Sequence, residues 1–171
     1  MVATLTMRVY TGTNAATESA AVSGIDLISA DNATNTLANR AAYPVAPSAP
    51  SMTKHIRLHI DSAPVGAVSA FKYWMSTTKP AGGDIMSQPY GAGGASPGTG
   101  DFTPTTAGIA TATSAKSAYT YTSASKGTWD ATGYSAVNAV TVALHLQLQV
   151  GWFMVAGGIA QQVMNFQYDE T

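Results

Sequence analysis

Polarity alternates along several stretches of the chain. Thr4 to Tyr10 puts Leu5, Met7 and Val9 on one side and Thr4, Thr6, Arg8 and Tyr10 on the other. A period of two marks a strand with one buried face. Lys54 to Asp61 repeats the pattern, with Ile56, Leu58 and Ile60 facing His55, Arg57, His59 and Asp61. Ala67 to Met75 has Phe71, Tyr73 and Met75 on one face and Val68, Ala70 and Trp74 on the other. Apolar residues on both sides predict a central or covered strand. Val140 to Val150 is the strongest pattern: Val140, Val142, Leu144, Leu146, Leu148 and Val150 share a face opposite Thr141, Ala143, His145, Gln147 and Gln149. A helix would scatter those six apolar residues around its axis. Gln162 to Tyr168 closes the chain as a strand with Met164, Phe166 and Tyr168 aligned.

The segments between are less regular. Thr11 to Asn14 and Ser62 to Gly66 carry turn residues, as does Gly157-Gly158. Ile25, Leu27 and Ile28 suggest a short strand, and Asp31 to Arg40 a helical turn capped by Asp31 or Asn32. Tyr43 to Pro50 holds three prolines and reads as an extended connector. Thr77 to Ser117 is rich in Gly and Pro, with short strands expected near Ile85 and Ile109. Ala118 to Thr122 fits a strand carrying Tyr119 and Tyr121, and Gly127 to Trp129 a loop anchored by its tryptophan. The sum is seven or eight strands without a strong helix. It predicts one all-β domain over 1–171, an antiparallel β-sandwich of jelly-roll or Greek-key type. Segments 15–53 and 77–117 are loop-rich and suited to act as extended arms.

Composition supports strands and narrows function. Ala, Gly, Ser and Thr make up about half the chain, and Lys and Glu are scarce, which disfavours helices. Charged residues are 10% and the net charge is −1, so no basic patch exists for nucleic acid or an anionic membrane. Neither partner is expected. No cysteine is present, which removes disulfides and thiolate chemistry. The alternating start is not a signal peptide, and no apolar run reaches a membrane span.

Candidate chemistry is thin. On a strand His55 and His59 stand about 13 Å apart, too far to share an ion. His145 could join one of them across strands, but two histidines without a carboxylate make a weak metal site. The expectation is three solvent-side histidines and no metal. The acids Glu18, Asp26, Asp31, Asp61, Asp84, Asp101, Asp130, Asp169 and Glu170 form no pair recognisable from sequence, and several sit in turn-like contexts. Gly91 to Gly94 lacks the Gly-Lys-Ser/Thr of a phosphate loop, and no Gly-x-Ser-x-Gly elbow occurs. No catalytic residue, cofactor or enzymatic activity is expected. The aromatic residues Trp74, Trp129, Trp152, Tyr73 and Phe166 are candidate packing or interface anchors, with a carbohydrate-stacking platform as the competing reading.

Two segments, Lys54 to Ser76 with its Phe71-Lys-Tyr-Trp-Met-Ser76 end, and the end of the chain with its long valine/leucine strand, Gly turn and closing Phe166-Gln-Tyr-Asp-Glu-Thr171, resemble small virion structural proteins of tailed bacteriophages. Capsid decoration (cement) proteins are the closest role. The resemblance covers about a third of the chain and consists of packing patterns. It implies a β-rich protein made in the host cytoplasm that binds the outside of the capsid, contacts the major capsid protein, and assembles as a homo-oligomer, a trimer or dimer. Alternatives are a head fibre, tail or neck component, or a carbohydrate-binding module. Scarce Lys and Glu also leave strand edges unguarded, so edges or loops covered by a partner subunit are expected.

Overall fold

A computed structural model of the chain describes residues 2–12, 17–32, 34–62, 64–89, 116–151 and 161–171. The strands are β1 (Thr4–Thr11), β2 (Thr17–Glu18), β3 (Lys54–Ser62), β4 (Val68–Met75), β5 (Gly83–Pro89), β6 (Lys116–Ser117), β7 (Gly127–Asp130), β8 (Leu144–Val150) and β9 (Met164–Glu170). They form a six-stranded sheet in the order β2-β1-β3-β8-β5-β6 and a three-stranded sheet in the order β7-β4-β9. Every strand pair is antiparallel. The expected all-β fold is observed, and β4 is central in its sheet.

Register explains the core. Leu5, Met7 and Val9 pair with Ile60, Leu58 and Ile56; Ile56 pairs with Leu144, and Leu148 with Ile85. These side chains share the face that meets Phe71, Tyr73, Met75 and Trp129 of the smaller sheet. Tyr73 is fully buried, and its hydroxyl lies 3.0 Å from Ser87 Oγ, joining the two sheets at their centre. In β4 strict alternation fails because Ala70 adopts φ 53° in an irregular register between Ser69 and Lys72. The extra residue is a bulge, and it turns Val68 onto the same buried side as Phe71.

Several local expectations are corrected. Residues 25–28 are not a strand; Ile28 is buried, and Val22, Ile25 and Leu27 pack on the core as irregular cover. The single α-helix among the described residues, α1 (Leu37–Ala42), is capped by Thr36, whose Oγ1 accepts from Asn39 N–H at 3.1 Å. Asp31 and Asn32 are engaged elsewhere: Asp31 accepts from Gly12 N–H at 2.7 Å and Asn32 from Thr34 N–H at 2.8 Å. Ala118–Thr120 is a turn of 3-10 helix rather than a strand, and Gly127–Asp130 is a strand rather than a loop. The β8 ladder begins at Leu144, because Asn138 has φ 65° and Val140 makes only an isolated bridge to His59. The strand expected near Ile85 is β5. Ile109, Trp152 and the Gly157-Gly158 turn lie outside the described residues, as does most of the 77–117 segment.

The largest correction concerns the histidines. His55, His59 and His145 are 2%, 8% and 5% exposed, so none faces solvent. They sit on the two central strands β3 and β8, where cross-strand neighbours shield them from both sides. Thr141 and Gln147, expected on a polar outer face, are buried as well.

Candidate functional site

The outer face of the six-stranded sheet carries a row of polar residues set by register. Tyr10 pairs with His55, His55 with His145, and His145 with Gln88. The His55 and His145 rings are 4.9 Å apart, and Tyr10 and His55 are 5.8 Å apart. The structure therefore brings together the one histidine pair the strand geometry allowed, and it keeps His59 out of it. Arg57 lies on the same face, donates its Nε–H to His55 Nε2 at 3.1 Å, and places its guanidinium 5.1 Å from the Tyr10 ring centre. An imidazole nitrogen that accepts from a guanidinium cannot itself hold a proton, so His55 is neutral. Burial drives the His55 ring down to about 2, helped by the positive charges of His145 and Arg57. Burial also drives His145 down to about 4, with Arg57 adding to it. Tyr10 is pushed up to about 12 by burial and the neighbouring Glu18.

A second polar group adjoins this row. Arg8 forms ion pairs with Glu18 and, at 2.9 Å, with Asp61; His59 Nδ1 lies 2.8 Å from the same Asp61 oxygen. On the opposite face Lys54 is buried, and its amine donates to the Ala30 and Asn32 carbonyls at 2.7 Å each. Burial lowers the Lys54 amine to about 8, partly opposed by Asp31 and Asp26. Asp130, 4% exposed, accepts from Thr132 N–H at 2.9 Å, Tyr134 hydroxyl at 2.7 Å and Val142 N–H at 2.9 Å. It ties β7 to the approach to β8. Among the described residues no three His, Asp or Glu side chains converge to hold a metal ion. Glu18, Asp26, Asp31, Asp61, Asp84, Asp130 and Glu170 are bound to cations, amides or hydroxyls of the protein itself.

The five aromatic anchors take different positions. Tyr73 and Trp129 are core residues; Trp129 Nε1 donates to the Val142 carbonyl at 2.8 Å, and its ring is 5.2 Å from Phe166. Phe166 is only half-buried, because β9 is an edge strand. Trp74 points to the outer face of the small sheet, with the Lys126 ammonium 5.0 Å from its ring centre. That lysine occupies one face of the indole, and Trp129 lies in the core, so the two do not form a stacking platform. Trp152 lies outside the described residues. A cleft of about 1070 Å³ separates the sheets, lined by Met7, Ile56, Ile85, Leu146, Met164 and Phe166 among others. Asp26 and Arg40, which also line it, bind each other at 2.9 Å.

Sequence reasoning did not single out Arg57, Arg8, Lys54 or Asp130. A signal for the first two was available: the polar side of β1 and β3 sets Tyr and His, which are often partly buried, beside Arg, whose planar guanidinium stacks on rings and pairs with carboxylates. Lys54 carries a weaker signal, since it occupies the apolar parity of its strand. Comparison with known protein families, curated proteins and solved structures yields no match.

Proposed function

We propose that this chain is a virion structural protein of a tailed bacteriophage, acting as a capsid decoration protein that binds the outer capsid surface and stabilises the shell. It works by surface contact and not by catalysis. The observation that carries the reading is the position of the two segments resembling such proteins. One spans β3 and β4 and the other β8 and β9, and these strands pair directly, His55 with His145 and Tyr73 with Phe166. The resemblance thus falls on strands that pair with one another in both sheets rather than on scattered pieces. The commitment of seven of its acids to bonds within the protein also supports a binding role, in which the body presents loops and edges to a partner.

Co-sedimentation of the purified chain with intact phage capsids tests this. The expected outcome is saturable binding at a fixed copy number and a higher temperature of capsid failure. Capsids that neither bind the chain nor gain stability would refute the decoration role.

A further inference from the structure

The edges of the two sheets are not equally protected. Beside β1, Ser19 N–H donates to the Val9 carbonyl and Val22 N–H to the Met7 carbonyl, so that edge is largely closed. On the far side of its sheet, β5 is flanked by β6. β7 is four residues long. β9 differs: seven residues long, it pairs with β4 on one side only.

Its bonding parity is fixed at both ends. Thr171 exchanges backbone bonds with Ala67 at 3.0 and 3.1 Å, and the Val163 carbonyl accepts from Ser76 N–H at 3.0 Å. Antiparallel ladders alternate, so the odd-numbered residues of β9 bond to β4. Met164, Phe166, Tyr168 and Glu170 therefore turn their N–H and C=O groups outward, and among the described residues none of these groups has a backbone partner. No lysine, proline or bulge blunts the strand, the usual protections of an exposed edge.

We infer that the free edge of β9 pairs antiparallel with β9 of a second copy of this chain, about a two-fold axis at Gln167. The sequence is self-complementary in that register. The outward-bonding residues meet one another: Phe166 opposes Tyr168 of the partner copy, and Met164 opposes Glu170. Between them, on the outer face, Asn165 opposes Asp169. The two acids, Asp169 and Glu170, lie at one end of the strand, so antiparallel pairing sets each against a neutral residue. Parallel pairing would stack Asp169 on Asp169. The half-buried Phe166 and Tyr168 rings gain a cross-strand aromatic neighbour each. A two-fold axis repeats every contact and consumes the edge, which limits the assembly to two copies. The pairing concerns the free chain and does not rest on the capsid reading.

Sedimentation velocity on the full chain over a wide concentration range tests it, with two variants at a position on the outer face. Asn165→Lys sets a cation against Asp169 of the partner twice over, and should tighten the dimer about fivefold; Asn165→Asp sets like charges together and should loosen it by a similar factor. Damage to the fold would move both variants the same way, so opposite shifts are diagnostic. Adding Asp169→Lys to Asn165→Asp should restore the dimer. A chain that stays monomeric throughout, that forms a trimer, or whose dimer responds equally to both variants would overturn the inference.

Discussion

Acid should unfold this protein through two histidines before its carboxylates are protonated. His55 and His145 are buried and neutral, held down at about 2 and about 4. In the unfolded chain both titrate at about 6.5. Between those values the unfolded state binds more protons than the folded one, so stability falls as pH falls. It is fully present above pH 6.5 and is lost progressively below it. Each histidine contributes about 1.36 kcal/mol per pH unit in that window. From pH 7.5 to 4.5 the two together remove about 5 kcal/mol, a large part of the roughly 5–15 kcal/mol that holds a domain together. Urea unfolding at a series of pH values measures this directly. The slope near pH 5.5 should be close to two protons, and His145→Gln should reduce it to about one. A stability that is flat from pH 7.5 to 4.5, or a His55 ring resonance that titrates near 6.5 in the folded protein, would refute the reasoning.

Other expectations follow from single contacts. Trp129→Ala removes a buried ring and its bond to Val142, and should cost about 3–5 kcal/mol in urea unfolding, whereas Trp74→Ala on the outer face should cost about 1 kcal/mol or less. Asp130→Ala leaves the Val142 N–H without its acceptor and should cost about 3 kcal/mol, with amide exchange accelerated first at residues 139–143. Gly66→Ala would place a methyl 1.8 Å from the Thr171 carbonyl oxygen, so the β4–β9 pair must part at that end. A loss of about 1–3 kcal/mol and faster exchange at Thr171 would check it. Raising pH from 8 to 9, below the tyrosine range, should increase stability by about 1 kcal/mol in urea unfolding, because the buried Lys54 amine, lowered to about 8, releases its proton before the unfolded chain does.

Period-two patterning made β1, β3, β4, β8 and β9 legible, since each buries an apolar row and strand side chains alternate between faces, interrupted at the β4 bulge. The small elements were hidden for physical reasons. Thr36 is the helix cap because the helix begins only at Leu37, while Asp31 and Asn32 lie upstream and accept from Gly12 and Thr34 instead. The bulge at Ala70 follows from pairing with β9 and has no glycine to announce it. The polar layer of Tyr10, His55, Arg57 and His145 was misread because a polar residue opposite an apolar row normally meets water. Here register stacks four such residues over three strands, and each shields the next.

That burial changes how the register of the central sheet is specified. In an ordinary half-exposed sheet a one-residue slip is resisted because it turns the apolar row toward water. In this chain a slip of β3 would exchange Ile56, Leu58 and Ile60 with His55, Arg57 and His59. The apolar core would then receive Arg57, and the cross-strand contacts of Asp61 with Arg8, of Arg57 with the Tyr10 ring and of His55 with His145 would break together. Both faces therefore select the same pairing, one by packing and one by hydrogen-bond geometry. Lys54 completes the argument from the end of the strand. It sits on the apolar parity, yet its amine reaches the Ala30 and Asn32 carbonyls and fixes the irregular 26–32 segment against the sheet. A slip would withdraw that amine and leave two carbonyls without their donor, at a cost of about 1–3 kcal/mol each if they stay buried. A chain without disulfides and with few surface charges can thus hold a single register from the chemistry of β3 and its two neighbours.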